Sequence, residues 1–347
     1  MLALAGYPLG IRCLFLDRSA DAPGAQVAPI LTGDLYDARL LKELAAQTEV
    51  ITFDWENIEG SALAPLEQET AIRPPRQALE ASQDRLTEKA LLTRLGVPVA
   101  PHAAVDSEEE LRRAARDWGL PGVLKTRRMG YDGKGQLVIH GVDQLGPAWA
   151  AMGAPGLIYE KFQNFSREVS IIGARAATGD IVYYPLSANT HAGGILRFSL
   201  APYRNAVLER AARGYLKKVM EALSYVGVLA IEFFVVDGRL IANEMAPRVH
   251  NSGHWTIEGC VTSQFENHLR AICDLPLGST RALGHSVMVN FVGTLPSRER
   301  LLHIEGLAFH DYGKVARAGR KLGHCTIVRS SIAQRDAAFA EALKWIK

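Results

Sequence analysis

Hydrophobic and polar positions follow two different spacings in the first third of the chain. Short apolar runs cover residues 11–16 and 50–53, and such runs are typical of buried strands. Between them, apolar side chains recur at helical spacing over residues 34–47. Strands separated by helices predict an α/β domain with a parallel sheet.

The pattern of residues 1–16 predicts the end of a helix, a stop at Gly10 and then a strand. Parallel α/β domains normally begin with a strand that enters the first helix through a glycine turn. This chain starts inside what looks like that helix. We therefore expect a first domain that lacks its first strand.

The pattern changes after the first domain. A helix over residues 84–95, followed by Gly96-Val97-Pro98, indicates a boundary near residue 98. Residues 99–165 then predict a small α+β unit. Its expected strands cover 99–105, 122–126, 136–140 and 157–161, and its expected helices cover 107–118 and 142–151.

The remaining chain divides into two segments. Residues 166–290 predict several strands, a hairpin and two helices, over 205–224 and 263–273. The tail, 291–347, predicts short strands and a terminal helix. We find no internal repeat and no low-complexity segment in the sequence.

Composition narrows the class of protein. With 347 residues and about 150 residues per domain, two or three domains are expected. A formal net charge of +2, with 22% charged and 48% hydrophobic residues, fits a soluble globular protein without a general attraction to nucleic acid or membrane. No apolar stretch is long enough to span a bilayer. The four cysteines have no CxxC spacing, which favours a reduced, cytoplasmic compartment over a disulfide framework or a zinc site.

A glycine-rich loop, GYDGKGQ at residues 130–136, follows the predicted strand that ends at Thr126. Its three glycines allow the backbone to approach a ligand and turn N–H groups toward an anion. Four cations surround it: Lys125, Arg127, Arg128 and Lys134. The spacing matches neither a Walker A loop nor a GxGxxG fingerprint. On composition alone, a plain β-hairpin loop is an equally good interpretation.

Two apolar strands flank Asp237-Gly238, which is a strong hairpin signal, and each carries a glutamate: Glu232 and Glu244. A buried, unpaired Glu232 would cost several kcal/mol. A two-residue loop would place the two carboxylates on opposite faces, whereas a three-residue loop with one bulged residue would place them on the same face. On one face, with Asn243 beside them, they would suit Mg²⁺. A single glutamate in a salt bridge is the alternative.

The segment after Glu244 carries further polar chemistry. Arg248 can hold a phosphate or carboxylate through two hydrogen bonds, and His250 and Asn251 offer directional hydrogen bonds to a small planar anion. The alternative is that these groups only cap a turn. A zinc site at His250 and His254 is poorly supported, because the HExxH pattern is absent and Gly253 argues against a helix.

Together these residues resemble a known family. The order of the candidate binding and catalytic residues along the chain resembles that of the ATP-grasp ligases. These residues are Lys125, the glycine loop, Glu160-Lys161-Phe162, Glu168, Glu232, Asn243-Glu244 and Arg248. The segments GYDGKGQ, YPLSANTHAGGILR and especially NEMAPRVHNSGHW are similar to those of the N5-carboxyaminoimidazole ribonucleotide synthase family, ATP-dependent carboxylases of purine biosynthesis. The likeness extends from residue 1 to about residue 330.

The resemblance implies α/β and α+β units in an ATP-grasp architecture. Residues 1–98 would form a Rossmann-like domain lacking its first strand, 99–165 a small lid subdomain, 166–290 the central ATP-grasp subdomain, and 291–347 a short β-rich C-terminal segment that binds the substrate phosphate. Members of the family begin with a strand and a GxGQLGR-like loop, which this sequence lacks at its start. From this difference we hypothesise that the start codon lies upstream or that the sequence is truncated.

The resemblance also implies a role for each matching residue. The ATP site would comprise Arg85, Lys125, Gly130, Tyr131, Asp132, Gly133, Lys134, Gly135, Gln136, Glu160, Lys161, Phe162, Gln163, Glu168, His191, Asn243 and Glu244. Glu232 and Glu244 would hold Mg²⁺, with Mn²⁺ as an alternative. Arg248, His250 and Asn251 would be catalytic and seat bicarbonate. Lys314 and Arg320 would hold the 5′-phosphate of 5-aminoimidazole ribonucleotide.

The implied reaction uses ATP to activate bicarbonate as carboxyphosphate, which then carboxylates the aminoimidazole. This chemistry requires positioning and charge neutralisation rather than a protein nucleophile. A homodimer without nucleic-acid or membrane partners is also implied. Two alternatives remain open: another ATP-grasp ligase, such as a formate-using glycinamide ribonucleotide transformylase or a biotin carboxylase, and an inactive nucleotide-binding paralogue.

Overall fold

The structure is a computed structural model, and it describes residues 1–130, 133–153 and 155–346. Its helices are α1 (Leu2–Gly6), α2 (Ala38–Gln47), α3 (Gly60–Leu63), α4 (Arg76–Gln83), α5 (Arg85–Arg94), α6 (Glu108–Trp118), α7 (Leu145–Met152), α8 (Ala206–Ala222), α9 (Thr256–Gly259), α10 (Gln264–Ile272), α11 (Arg298–Leu302) and α12 (Ile332–Leu343). In these ranges, no helix has both the length and the apolar character needed to cross a membrane.

Strands β1 to β8 cover the first half of the chain. They are β1 (Phe15–Asp17), β2 (Ile30–Thr32), β3 (Val50–Ile51), β4 (Ala71–Ile72), β5 (His102–Val105), β6 (Gly122–Thr126), β7 (Gln136–Ile139) and β8 (Leu157–Lys161). The other strands are β9 (Arg167–Arg175), β10 (Ile181–Tyr183), β11 (Ser187–Ala192), β12 (Ile195–Ala201), β13 (Gly227–Val236), β14 (Arg239–Ala246), β15 (His285–Val292), β16 (Leu307–Asp311) and β17 (Lys321–Arg329).

The N-terminal region confirms the predicted parallel α/β pattern. Strands β1 and β2 pair in parallel, as do β3 and β4. Helix α2 begins after Asp37, whose carboxylate accepts hydrogen bonds from the backbone N–H groups of Arg39 and Leu40. Its apolar stripe, which includes Leu41 and Leu44, is buried. In the described part of the chain, α1 precedes the first strand.

Residues 102–161 form a four-stranded sheet in the order β5-β8-β6-β7, and its paired strands are antiparallel. Helix α6 starts at the N-cap Ser107 and carries three glutamates in its first turn. Their negative charges interact favourably with the positive end of the helix dipole. The predicted strands over 122–126 and 157–161 are confirmed to the residue. This sheet and helices α6 and α7 enclose a core of their own.

The second large unit is a nine-stranded sheet, as far as the described residues extend. Its order is β14-β13-β9-β11-β12-β15-β17-β16, with β10 also paired to β9. Strand β15 pairs with β12 on one side and β17 on the other, so strands of the tail continue the central sheet. The expected boundary between residues 290 and 291 therefore lies inside β15. Strand β17, with nine residues, is longer than the short strands expected there.

The β13–β14 hairpin corrects the expected geometry of the two glutamates. Its turn has two residues, Asp237 and Gly238, since Val236 pairs with Arg239. The register then shifts between Phe233 and Glu232, and Glu232 pairs directly with Glu244. The two-residue turn and a bulge at Asn243 thus occur together, and the bulge places both carboxylates on one face. The expectation that the bulge requires a three-residue loop is therefore wrong.

The outer edge of β14 is covered by the segment that leads into the four-stranded sheet. The backbone N–H of Ala242 donates to the carbonyl of Pro98 at 2.7 Å, and that of Met245 donates to the Glu88 carboxyl at 2.6 Å. Both bonds satisfy groups that an edge strand would otherwise leave unpaired. They also fix α5, which carries Glu88, against the strand that carries Glu244.

Candidate active site

A cavity of about 250 Å³ lies where the end of β14 meets α5 and the segment after β3. Six of the expected site residues line it: Arg85, Gly130, Glu244, Arg248, His250 and Asn251. The cavity wall also contains residues of the segment after β3, including Asp54 and Glu56, and Lys321 of β17. Basic and acidic groups from distant parts of the chain therefore converge on one space.

Glu232 and Glu244 differ in their charge environments. Arg85 donates a hydrogen bond to Glu244 at 3.3 Å. Burial alone would raise the pKa of Glu244, but the positive charges near it, first that of Arg85, lower this pKa below its ordinary value. Asn189 donates to Glu232 at 3.4 Å, and burial raises the pKa of Glu232 to about 7. His191 and Lys321 oppose this shift but do not outweigh burial, and a bound cation would stabilise the charged form of Glu232 further.

The donor chemistry of this pair fits Mg²⁺. Both side chains supply hard carboxylate oxygens, and the bulge places them on the same face of the hairpin. Among the described residues, no group of three or more histidine, cysteine, aspartate or glutamate side chains is arranged to hold a metal ion. The two glutamates would therefore be two protein ligands, and phosphate oxygens and water would supply the other ligands.

Arg248 is held in position by Glu56. Its Nε and one terminal nitrogen each donate to one Glu56 oxygen at 3.0 Å, and its other terminal nitrogen donates to the Val249 carbonyl at 3.0 Å. This fork fixes the plane of the guanidinium while it lines the cavity. Burial opposes the charged form, but Glu56 raises the pKa of Arg248 further above its ordinary value.

His250 and Asn251 are equally constrained. The Ser252 backbone N–H donates to His250 Nδ1 at 3.3 Å, which makes Nδ1 an acceptor. Burial, reinforced by the charge of Arg248, lowers the pKa of His250 well below its usual value, so the ring is neutral with its proton on Nε2. Asn251 exchanges amide hydrogen bonds with Asn290 of β15, at 3.0 and 2.8 Å. The site therefore offers fixed neutral donors beside a fixed cation.

Four other expected nucleotide residues, Lys125, Glu160, Glu168 and His191, lie outside the cavity wall. Lys125 of β6 donates to Glu160 of β8 at 3.1 Å, and although burial opposes it, Lys125 lowers the pKa of Glu160 to about 2. Glu168 of β9 forms an ion pair with His191 of β11, and although burial opposes it, this hydrogen bond raises the pKa of His191. In the expected hinge, the Lys161 N–H donates to the Pro101 carbonyl.

The glycine loop links β6 and β7, which are antiparallel neighbours. The loop therefore connects the two strands of a β-hairpin. Gly130 nevertheless reaches the cavity, where an added Cβ would lie 3.5 Å from an Arg85 nitrogen. Gly133 approaches the turn between β11 and β12: an added Cβ would lie 2.8 Å from Gly194 Cα. Tyr131 and Asp132, two expected ATP ligands, lie outside the described residues.

Gly133→Ala should lower kcat/KM for ATP about tenfold, because the new Cβ prevents the glycine loop from approaching the β11–β12 turn and because φ is +73° at this position. Steady-state kinetics with varied ATP measure the change. Gly193→Ala is the matched control, since Gly193 has φ of +59° but open space around its Cβ position. Equal losses in the two variants would show that backbone strain, rather than the contact, is responsible.

The structure does not bring Lys314 and Arg320 into the cavity wall. The Lys314 ammonium lies 5.2 Å from the ring centre of Tyr312, and Arg320 donates to the Val315 carbonyl at 3.1 Å. Both lie in the segment between β16 and β17, whereas the next residue, Lys321, lines the cavity. Their assignment to the substrate phosphate therefore stays a prediction.

Sequence reasoning missed Glu56, Lys321 and the buried carboxyl of Glu88 as parts of the cavity wall. Glu56 follows β3 in the run Asp54-Trp55-Glu56-Asn57, and polar residues after the carboxyl end of a strand in a parallel sheet are a known signal of a ligand site. For Glu88 the signal was its place one turn after Arg85 on the same helix face. For Lys321, the sequence offered no signal of a role in the site except that it directly follows Arg320.

Comparison with known proteins gives consistent matches along the chain. Three family models match: a ribonucleotide synthetase preATP-grasp domain over residues 1–83, an ATP-grasp domain over 90–265, and a phosphoribosylaminoimidazole carboxylase C-terminal domain over 286–338. The N5-carboxyaminoimidazole ribonucleotide synthase of Pseudomonas aeruginosa is 45% identical over 341 residues, which cover 98% of this chain and 94% of that protein.

Two solved structures also match this chain over almost its whole length. That of N5-carboxyaminoimidazole ribonucleotide synthetase from Thermus thermophilus has a TM-score of 0.96 and 46% identity, and the match covers 100% of this chain and 95% of that one. That of the Aspergillus clavatus synthase, in complex with ADP and 5-aminoimidazole ribonucleotide, has a TM-score of 0.93 and 28% identity, covering 99% and 94%.

Proposed function

Because the chain belongs to the N5-carboxyaminoimidazole ribonucleotide synthase family of ATP-grasp ligases, we propose that it carboxylates 5-aminoimidazole ribonucleotide. The reaction consumes ATP and bicarbonate and yields N5-carboxyaminoimidazole ribonucleotide, ADP and phosphate, a step of purine biosynthesis. The observation that carries this function is the cavity in which Arg248, fixed by Glu56, lies with Arg85 and Glu244. An anion clamp and nucleotide-binding groups share one space there.

The nucleotide occupies the cleft between the lid sheet and the central sheet. Arg85 and Lys125 contact the phosphates, and the glycine loop at 130–136 covers them. The adenine lies against the hinge at 160–163. Glu168 holds the ribose and His191 contacts the nucleotide, while Asn243 and Glu244 complete the site.

Glu232 and Glu244 hold Mg²⁺, or Mn²⁺ in its place. The support is the donor set described above, with two carboxylates on one face. When bound with ATP, the ion neutralises the phosphate charge that the reaction develops. Arg85 donates to Glu244, so a proposed phosphate contact lies directly beside a proposed metal ligand.

In the first step, a bicarbonate oxygen forms a bond to the γ-phosphorus of ATP, the bond to the β–γ bridging oxygen breaks, and ADP leaves. Arg248 holds the bicarbonate through parallel hydrogen bonds, and neutral His250 donates from Nε2 to a carboxyl oxygen. Asn251, fixed by Asn290, adds a directional donor. The product of this step is carboxyphosphate.

In the second step, the exocyclic amine of the ribonucleotide bonds to the carboxyl carbon, inorganic phosphate leaves, and the amine loses a proton. Carboxyphosphate reacts readily with water, so the glycine loop has to cover the site during this step. Lys314 and Arg320 hold the 5′-phosphate of the ribonucleotide. Lys321, which lines the cavity, adds positive charge on the same side.

The proposal also assigns a role to each domain and gives the compartment and the oligomeric state. Residues 1–98 act as the Rossmann-like domain, 99–165 as the lid, 166–290 as the central subdomain and 291–347 as the phosphate-binding segment. The enzyme acts as a cytoplasmic homodimer with small-molecule substrates.

ADP release in the presence of Mg·ATP should require 5-aminoimidazole ribonucleotide and rise with added bicarbonate in degassed buffer. A coupled assay for ADP measures the rate, and mass spectrometry identifies the carboxylated product. ADP release that is indifferent to both bicarbonate and the ribonucleotide would contradict the proposal. Release driven by formate or biotin instead would assign another ATP-grasp ligase activity.

A further inference from the structure

Lys89 has no assigned role, yet its ammonium is one of the most deeply buried charges in the described part of the chain. Its side chain is 0% exposed and projects from α5, one residue after Glu88. The nitrogen lies 3.3 Å from Glu160 Oε2 on β8 of the lid sheet. It also lies 3.5 Å from the Asn243 carbonyl on β14 of the central sheet. One lysine therefore contacts both sides of the nucleotide cleft.

Two lysines share a single carboxylate oxygen at this place. Lys125 Nζ lies 3.1 Å from Glu160 Oε2, the oxygen that Lys89 also contacts. The side chain of Glu160 is 4% exposed, and its other oxygen has no hydrogen-bond partner among the described residues. A single carboxylate needs one counter-charge, so the second lysine is not required for neutrality before nucleotide binds.

The need for a second lysine arises when the nucleotide arrives. Lys125 is proposed to contact the nucleotide phosphates, and a lysine that turns toward a phosphate weakens its contact with Glu160. Without Lys89, the buried Glu160 carboxylate would then be left with the charge of Arg85, which pairs with Glu244, and with no cation in direct contact, which is strongly unfavourable at such a site. Lys89 already contacts the same oxygen and cannot reach solvent.

We propose that Lys89 is a positioning residue that keeps Glu160 charged and in place when Lys125 turns to ATP. This inference rests on the proposed function, because it takes Lys125 as a phosphate ligand. Lys89 touches no reacting atom. Its second contact, to the carbonyl of the bulged residue Asn243, ties the same helix to the strand that carries Glu244.

The proposal makes the effect of Lys89→Met depend on the nucleotide. The free enzyme keeps the Lys125–Glu160 pair, so its melting temperature should change little. ATP binding should weaken at least tenfold, measured by calorimetry without the other substrates, and KM for ATP should rise while KM for the ribonucleotide stays within twofold. Lys89→Arg, which keeps the charge, should recover most of the affinity.

A double-mutant cycle identifies the partner. In a Glu160→Gln background there is no carboxylate to keep charged, so adding Lys89→Met should change ATP affinity less than twofold. Lys218→Met is a matched control, since Lys218 donates to the Leu95 carbonyl just after α5 but lies at an exposed site; it should bind ATP as the wild type does.

Three results would overturn the proposal. They are unchanged ATP affinity in Lys89→Met, an equal loss in the Glu160→Gln background, and a loss matched by a large fall in the melting temperature that Lys89→Arg fails to repair. If the wild type bound ATP but did not carboxylate the ribonucleotide, the proposed function would fail while the binding cycle still decided the role of Lys89.

Discussion

Replacing Arg248 with lysine should lower kcat/KM for bicarbonate by about 10²–10³, the range expected for loss of one fixed donor at a developing anion. Arginine presents a planar fork, and Glu56 already fixes that plane through two 3.0 Å hydrogen bonds. Lysine keeps the charge but offers a flexible point charge that cannot reproduce the paired geometry. Initial rates of ADP release at varied bicarbonate, in degassed buffer, measure the loss.

Two controls separate geometry from charge at Arg248. Glu56→Gln keeps the arginine but weakens its fixation, so it should give a smaller loss in the same parameter. Arg213→Lys alters an exposed arginine that pairs with Glu209, and it should leave the rate unchanged. An Arg248→Lys enzyme with wild-type kcat/KM for bicarbonate would remove Arg248 from the proposed anion site.

Glu244→Gln should lower kcat by about 10²–10³ and raise the Mg²⁺ concentration needed for half-maximal activity. The substitution removes one of two carboxylates on the shared face and also the acceptor of the Arg85 hydrogen bond. A neutral amide is a weaker ligand for a hard cation than a carboxylate. Rates at a series of Mg²⁺ concentrations, after chelator treatment, measure both effects.

The matched control for Glu244→Gln is Glu258→Gln. Glu258 is also partly buried and pairs with His310 at 2.7 Å, but it lies outside the cavity wall. It should keep the Mg²⁺ dependence of the wild type. A Glu244→Gln enzyme whose half-maximal Mg²⁺ concentration is unchanged would argue that the ion is held elsewhere.

The sequence predicted local structure well where the signal is local. The strands over 122–126 and 157–161 follow from short apolar runs between turn residues, and both are confirmed. The helix over 205–224 is confirmed, with small end differences, as Ala206–Ala222. The family and the fold class followed from motifs that are specific at the level of ten or more consecutive residues.

What the sequence could not provide depends on pairing between distant segments. The register shift at Glu232 lies in a strand, β14, whose outer edge is bonded to Pro98 and Glu88, far away along the chain. The pairing of β15 with β12 cannot be derived from the alternation within either strand. For the same reason Glu56 was missed, since its role depends on an arginine 192 positions later.

The continuous sheet from β14 to β16 has a consequence for the order of events in catalysis. The strands that carry Glu232, Glu244, Asn290 and Lys321 belong to one hydrogen-bonded frame, whereas Lys125 and Glu160 belong to the separate four-stranded sheet. Among the described residues, no pairing between named strands joins the two sheets. A shift of the four-stranded sheet would therefore leave the relative positions of the four residues in the frame unchanged, so the two walls of the proposed cleft can respond to ligands in turn.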